Sequence, residues 1–539
     1  MKERIQLISP EAIQEAAIFN QEFEATKERV RDVPVTIVIP PSVFLADERV
    51  FPFLGALKVA AELERNGNQV DVLDLSGVVN FKDATSDYAR RNPNRVFGLT
   101  ATTPQIPAAI LIRNAIKSAS NSPVILGGTH ATLTHSAFIK DQEIGTERRG
   151  TWAFEQLLQN FDRVVAGDGE MSIFPAIDPE NPDQIIDASS RTSPYFLQRG
   201  TLEQYAYPAR HMIDLESYHY YIDDDGEKYR AASIIAQLGC PFECGFCGGR
   251  NTDFLRMTRT RNITNSVLLE FEQVVRDSQD WEIPIRGAMF YDDELNVNKD
   301  ALEKLCRGLI EMQDRLGIEM RFRGFIKAEL FTPEQASLMY AAGFRFTLSG
   351  VESGSREILD TMRKHTTPEI NSRAVQIAHD AGMSFKALMS VGHPGESKDT
   401  ISESIVWVNK NLRKGDDVDW TLITQYPGSP YYDDSVYIES EDAWLYTEGE
   451  TGNRLWSKDV DFTKNTEFYK GVPGNYESFT YTDYMSPDDL VAARDAAEVM
   501  TRSALGLPPI REIAMSARQF EHSMGQGLSP KILRSSQPQ

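Results

Sequence analysis

Apolar residues along this chain change their period several times, and those changes divide it. From Val35 a short β-branched run, VTIVIP (35–40), reads as a buried strand. LGALKVAAELERNG (54–67) then carries apolar residues at helical spacing and stops at a glycine. QVDVLDL (69–75), VFGLTAT (96–102), PVILGG (123–128) and VVAGDGE (164–170) read as further strands, with a helix, PQIPAAILIRNAIKSAS (104–120), between the third and the fourth. Strands alternating with helices predict a parallel, doubly wound α/β sheet that binds ligands at the carboxyl ends of its strands. Residues 1–30 read as a charged helical lead-in, 31–185 as the first domain, and 186–230, rich in Pro, Asp and Tyr, as a linker.

A second alternating series runs through 231–435. Its strands are ASIIAQL, RGAMFYD, MRFRGFI, FRFTLSG, SFKALMSVG and VDWTLITQY, with amphipathic helical stretches between them. Six such steps predict a partial (β/α)6 barrel, short of the roughly eight steps of a closed one. Residues 436–539 read as a small mixed region able to cap an active site, with a frayed tail from about residue 525. Its aromatic stretch at 465–485 reads as ordinary packing.

Composition narrows the class. The chain has 539 residues, with 25% charged and 41% hydrophobic, which suits several packed cores. Its net charge of −23 disfavours a nucleic-acid partner. No apolar run reaches the roughly 20 residues of a membrane helix, and the N-terminus has no apolar signal core, so a cytosolic protein is expected.

Chemistry concentrates at LGCPFECGFCGGRN (238–251), directly after the first strand of the second series. Cys240, Cys244 and Cys247 stand at Cys-x-x-x-Cys-x-x-Cys spacing, and the remaining cysteine, Cys306, lies alone in a predicted helix. Three local thiols without a fourth argue against a closed tetrahedral zinc site. They suit an iron–sulfur cluster with one iron left open, and outweigh the alternative of three unrelated buried cysteines. Gly245, Gly248 and Gly249 would let the backbone approach closely.

At these residues the chain resembles the radical SAM enzymes, whose motif carries an aromatic before the last cysteine, here Phe246. YDDELN (291–296), LSGVESGS (348–355) and VGHPGES (391–397) resemble the family's S-adenosylmethionine-binding strand ends in the right order. The first departs from the family's frequent Gly-Gly-Glu. The resemblance implies a [4Fe-4S] cluster on the three cysteines. It implies S-adenosylmethionine contacts at Phe246, Asp292, Asp293, Glu294, Glu352, Ser353, Gly392 and Pro394. An electron donor such as flavodoxin or ferredoxin is implied as partner. Standing alone, each acidic group would read as a solvated strand end.

A doubly wound domain ahead of such a barrel resembles the cobalamin-dependent branch of that family. GGTHATL (127–133) looks like its glycine-rich loop and AGDGE (166–170) like its Gly-Glu-Gly-Glu turn, with Asp168 in place of the first Glu. The resemblance implies cobalamin contacts at Gly127, Gly128, Thr129, His130, Gly167, Gly169 and Glu170. No Asp-x-His-x-x-Gly motif is present, which leaves the lower axial position of cobalt undefined, and no Gly-x-Gly-x-x-Gly follows the first strand, which disfavours a nicotinamide. The function implied is a methyltransferase acting on an unactivated carbon of a small molecule or peptide. The same two domains also host oxidative cyclases and ring-rearranging enzymes without methyl transfer, and a cobalamin or redox sensor is the non-catalytic alternative. Methylthiotransferases are set aside because no cysteine precedes Cys240. Arg321, Arg323 and Lys327 alternate along the third barrel strand, and Arg321 and Arg323 share a face, where an anionic substrate or the S-adenosylmethionine carboxylate would find them.

Overall fold

The computed structural model describes residues 10–43, 45, 47–469, 476–508, 522–523 and 527–536. The lead-in helix spans Pro10–Arg29, and the expectation for residues 1–9 lies outside the described residues.

The first sheet contains β1 (Val35–Ile39), β2 (Val70–Asp74), β3 (Val96–Thr100), β4 (Val124–Gly127), β5 (Arg163–Gly167) and β6 (Ile185–Ala188). These run parallel in the order β2-β1-β3-β4-β5-β6. Every position of β1 and β2 is buried, as a strand covered by helices on both faces requires. The helix after β1, Leu54–Asn66, ends at Gly67 in the left-handed conformation, φ 93°, where the apolar period stops. The order reverses between β1 and β3, which opens a crevice above their carboxyl ends.

The second sheet contains β7 (Tyr221–Asp224), β8 (Glu227–Ile234), β11 (Ile285–Phe290), β12 (Arg321–Phe325), β13 (Phe344–Glu352), β14 (Ser384–Val391) and β15 (Asp417–Leu422). Two short strands, β9 (Gln237–Leu238) and β10 (Arg259–Thr260), pair with each other between β8 and β11. Six strands from β8 to β15 are parallel, and β7 closes one edge antiparallel to β8. On β12 and β14 the outward residues Phe322, Phe385, Ala387 and Met389 are buried in the large core against the helices. The alternate residues Arg323, Lys386 and Leu388 line the inner face and stay partly exposed. The half-barrel therefore has a dry outside and an accessible inside.

The segment read as a linker is largely built into the sheets. Residues 185–188 add β6 beside β5, in register Val164↔Ile185. β7 and the first half of β8 form a hairpin across Asp225-Gly226, both at positive φ. That Asp-Gly pair is a strong hairpin signal that the alternation of charged residues around it obscured.

Beyond β15 lie four antiparallel strands, β16 (Val436–Ile438), β17 (Ala443–Thr447), β18 (Arg454–Ser457) and β19 (Thr480–Thr482), and the helix Pro487–Leu505. The helix packs on β15, where Trp420 Nε1 donates to Thr501 Oγ1 at 3.0 Å. The tail is not frayed over its described part: β20 (Leu533–Ser535) pairs antiparallel with β2 and caps that edge of the first sheet. Ile532 is buried in the core of that sheet, and its carbonyl accepts from Asp74 N at 2.8 Å, which gives the segment both apolar and backbone anchors.

Two buried arginines join the first sheet to the rest. Arg259 of β10 meets Asp168, in the turn after β5, at 2.6 Å, with both side chains almost wholly buried. Arg149 donates to the carbonyl of Tyr432 at 2.6 Å and to Gln425 Oε1 at 2.7 Å, and lies over the ring of Tyr432. Removing one member of a buried pair strands the other charge. Asp168→Ala is expected to lower unfolding free energy by about 3–5 kcal/mol, and Asp168→Leu/Arg259→Met by clearly less, measured by chemical denaturation.

Candidate functional site

The cysteine loop runs from 239 to 258 and is closed at its neck by the β9–β10 ladder. Arg250 holds it from inside: Nη1 donates to the carbonyls of Cys240 and Phe242, each at 2.6 Å, and Nη2 to that of Leu255 at 3.2 Å. Outside, Gly245 N donates to the Met362 carbonyl at 2.9 Å, and Tyr431 N to the Gly245 carbonyl at 3.0 Å. Only glycine fits at 245, because a Cβ there would lie 2.7 Å from the Tyr431 ring.

The three thiols share this loop. Burial pushes Cys247 up to about 12 and raises Cys240, while the Arg250 guanidinium opposes both shifts. Each of these two cysteines also feels its neighbours in the loop or the adjacent acidic strand end, so the thiols face a common space with Asp293 and Arg250. Among the described residues no three His, Cys, Asp or Glu side chains converge tightly enough to hold a single ion. A multi-iron cluster that puts each thiolate on its own iron suits the loop better than a mononuclear metal. Cys306 is buried in the core beneath the helix Lys299–Leu316, remote in role from the loop.

The predicted strand-end carboxylates gather around the loop, but not all face it. Asp292 turns back to the backbone just past β8 and accepts from Ala236 N at 3.2 Å, and burial pushes it up to about 7. Burial also raises Asp293, against the pull of Arg250. Glu294 is pushed up to about 7 by burial, against Lys364 and Lys327, and its Oε2 is buried without a partner. Glu352 ends β13 at φ 64°, a conformation that costs a non-glycine residue and is held by its surroundings. Its carboxylate accepts from Lys364 Nζ at 3.1 Å and Ser390 Oγ at 3.0 Å. Ser390 in turn contacts His393 Nε2 at 2.7 Å, and Phe246 packs edge-on against His393. Gly392 and Pro394 lie in the turn after β14, where Gly392 N donates to Glu396 Oε2 at 3.2 Å.

Two expectations need correction here. The Ser353 hydroxyl is used within its own turn, accepting from Ser355 N at 3.0 Å and meeting Ser404 Oγ at 3.0 Å, so it does not reach into the site. Arg321 sits at the start of β12, far from the strand's carboxyl end, and is spent on Asp224 and Glu319. A register shift between Phe322 and Arg323 separates the surroundings of the two arginines.

The lysine that sequence reasoning missed is Lys364. Burial works against the charge of Lys364, but Glu352, Cys244 and Glu294 outweigh it and hold its pKa above the usual lysine range. It is presented by a tight turn in which both Arg363 and His365 have φ 55°. Lys327 Nζ lies over the Phe242 ring at 4.5 Å and pairs with Glu329 at 3.0 Å. Lys364 has no spacing signal, because a turn after the helix Arg356–Thr361 brings it there, whereas Lys327 follows the alternation along β12.

Above the first sheet is a cavity of about 320 Å³, lined by the turns after β1, β3, β4 and β5 and closed by Ile235, Leu238, Phe254 and Arg261 of the second domain. Gly127, Gly128, Thr129, Gly167, Gly169 and Glu170 line it. Gly128 has φ 98°, and a Cβ there would meet Ala101 N at 2.7 Å. His130 is the exception among the predicted contacts. It points away, with Nδ1 3.1 Å from Thr103 Oγ1 and its ring against Phe462, and burial pushes it down to about 3. The lining residues include no His, Cys or Met, the nitrogen and sulfur ligands that suit a softer transition metal, and its carboxylates are Asp168, Glu170 and Glu270. Its apolar floor and glycine turns fit a large, flat organic group.

Residues 234–408 match the family model of the radical SAM superfamily, so this part of the chain is a radical SAM domain. An uncharacterized methyltransferase of Pyrococcus horikoshii is 22% identical over 425 residues, covering 75% of this chain and 83% of its own. The anaerobic magnesium-protoporphyrin IX monomethyl ester cyclase of Rubrivivax gelatinosus is 25% identical over 394 residues, covering 68% of this chain and 63% of its own. Among solved structures, the radical S-adenosylmethionine methyltransferase TsrM of Kitasatospora setae, with cobalamin and a [4Fe-4S] cluster bound, matches with TM-score 0.59 at 16% identity over 92% of each chain. The cobalamin-dependent S-adenosylmethionine radical enzyme OxsB, with aqua-cobalamin and S-adenosylmethionine bound, matches with TM-score 0.53 at 14% identity over 72% of this chain and 54% of its own. At these identities the structural likenesses establish the two-domain fold.

Anaerobic reconstitution is expected to load about four irons per chain, as thiolate-held clusters of this type carry. Cys240→Ala, Cys244→Ala and Cys247→Ala should each lose most of that iron and its visible absorbance, while Cys306→Ala should retain both.

Proposed function

We propose that this radical SAM enzyme is a cobalamin-dependent methyltransferase that methylates an unactivated carbon of a small molecule or peptide. One observation carries the reading: the cavity above the first sheet is walled on one side by β1–β5 turns and on the other by residues 235–270 of the radical SAM domain. A flat cofactor held there would adjoin the mouth of the half-barrel and the cysteine loop. The likeness to TsrM, whose structure holds both cobalamin and a [4Fe-4S] cluster, supports the same pairing.

When bound, the cluster with S-adenosylmethionine supplies a carbon-centred radical, and cobalamin supplies the methyl group. The chain's own residues have separable tasks. Cys240, Cys244 and Cys247 would hold the cluster, and Arg250 keeps their loop in shape through its carbonyls. Asp293, Glu294 and Glu352 offer acceptors for an ammonium and for ribose hydroxyls, and Lys364 offers a cation for a carboxylate. Lys364 also neutralises Glu352 until such a ligand arrives. Gly127, Gly128, Gly167 and Gly169 would let the backbone approach the corrin. Phe246 and Tyr431 pack over the loop and exclude water from it.

Glu352→Gln and Lys364→Met are expected to weaken S-adenosylmethionine binding by about tenfold or more, without loss of iron, because each removes one partner of a charge-assisted contact. Equilibrium dialysis on reconstituted protein, with iron assayed in parallel, reads both quantities. Methyl transfer itself has a stoichiometric signature. Each product should consume two S-adenosylmethionine molecules, one ending as S-adenosylhomocysteine and the other as 5′-deoxyadenosine with methionine, and should carry the label of a deuterated methyl donor. 5′-Deoxyadenosine formed in step with an unlabelled product would replace this reading with oxidative cyclisation, the chemistry that the name of the Rubrivivax relative describes.

A further inference from the structure

Charged side chains on the inner face of the half-barrel differ in their partners in a telling way. Arg321 is matched by Asp224 and Glu319. Lys386 is matched by Asp417 at 2.8 Å, and Asp417 also takes Arg502 at 3.3 Å. Arg323, one residue pair further up β12, forms no ion pair at contact distance with any described residue, although Asp417, raised by burial but held below the usual carboxylate range by Lys386 and Arg502, also feels its charge. Its Nη1 donates to the Tyr220 hydroxyl at 2.9 Å, its guanidinium lies 4.9 Å over the Phe346 ring, and its Nε is buried with no acceptor. A guanidinium so placed has one side engaged and the Nε–Nη2 edge without a protein acceptor. That edge is the one that pairs two parallel N–H groups with a carboxylate.

The surroundings of Arg323 are aromatic and come from both domains. Phe51, in the segment between β1 and the helix Leu54–Asn66, packs at 4.6 Å against both Tyr220 and Tyr291. Tyr291 follows β11, directly before Asp292 at the cysteine-loop end, and is 38% exposed. Burial raises Tyr291, with Tyr220 adding to the shift and Arg323 opposing it, which keeps the phenol neutral. Phe53, two residues after Phe51, already lines the cavity above the first sheet. The aromatic box and that cavity are therefore walled by one continuous stretch of chain.

We propose that Arg323 is the substrate's carboxylate anchor: the enzyme acts on a molecule with a carboxylate and a flat apolar body, bound with the carboxylate on the Nε–Nη2 edge of Arg323 and the body against Phe51, Tyr291 and Phe346. This deepens the methyltransferase reading and rests on it for the word substrate, but the binding site stands on the geometry alone. A buried guanidinium Nε without an acceptor carries a cost, and a ligand carboxylate removes it. A tetrahedral phosphate would match the planar edge less well than a carboxylate does.

The test is binding, not turnover, so its failure is distinct from failure of the methyl-transfer reading. Full-length reconstituted protein is titrated with 3-phenylpropionate, with 3-phenylpropionamide and with inorganic phosphate, followed by ligand-detected NMR. The carboxylate is expected to bind saturably and about tenfold or more tighter than the amide, the loss of one charge-assisted pair. Arg323→Met should abolish that preference and Arg323→Lys should restore part of it, with iron content and S-adenosylmethionine affinity unchanged in both. Arg321→Met, which breaks only the Asp224 and Glu319 pairs, should keep the preference. Equal binding of carboxylate and amide, tighter binding of phosphate, no saturable binding of the carboxylate, or a preference that survives Arg323→Met would each overturn the proposal.

Discussion

Arg259 leaves the barrel domain at β10 and ends, fully buried, on Asp168 in the turn after β5 of the other domain. Neither charge has water to fall back on, so the two domains hold one relative arrangement or leave two uncompensated ions inside the protein. Much of the rest follows from this pin. β10 is also the strand that closes the neck of the cysteine loop, and Asp168 stands in a turn that lines the cavity above the first sheet. The same contact therefore sets where the loop sits and how that cavity is closed. Arg149, pinned to the carbonyl of Tyr432 and stacked on its ring, secures the far side in a similar way.

With the domains held so, both parallel sheets present the carboxyl ends of their strands to a shared interior. In each sheet these ends are where turns carry polar groups and where the backbone donors and acceptors of the last residues are free for ligands. The helices cover only the outside of the half-barrel, and the inner face stays partly exposed. Charged residues there find partners on a neighbouring strand, as Lys386 of β14 and Asp417 of β15 do, or wait for a ligand.

Around the cysteine loop, burial raises carboxylates and thiols alike, and only a few cations oppose it. Lys364, Lys327 and Arg250 do that work from three different strand ends or loops. The strained backbone at Glu352, Arg363 and His365 is concentrated at the same place. Strain at a ligand-ready site, held by neighbours on all sides, is a common feature of pre-organised binding.

The chain's own order of residues was enough for the two strand series, since apolar periods are local and buried parallel strands are nearly all apolar. It was enough also for the three clustered cysteines and the glycine turns, whose spacing is itself the signal. β6 and β20 escaped because short edge strands carry little apolar pattern and exist only by pairing with a neighbour already formed. Which carboxylates face the loop was likewise a tertiary matter. Asp292 and Glu294 are two residues apart on one strand end, yet one turns to the backbone just past β8 and the other feels Lys364 and Lys327. Alternation put Arg321 and Arg323 on one face, but only the folded barrel set Asp224 beside the first and left the second without an ion pair at contact distance. A charge's partner is chosen in three dimensions, by elements far apart along the chain, and no local pattern records that choice.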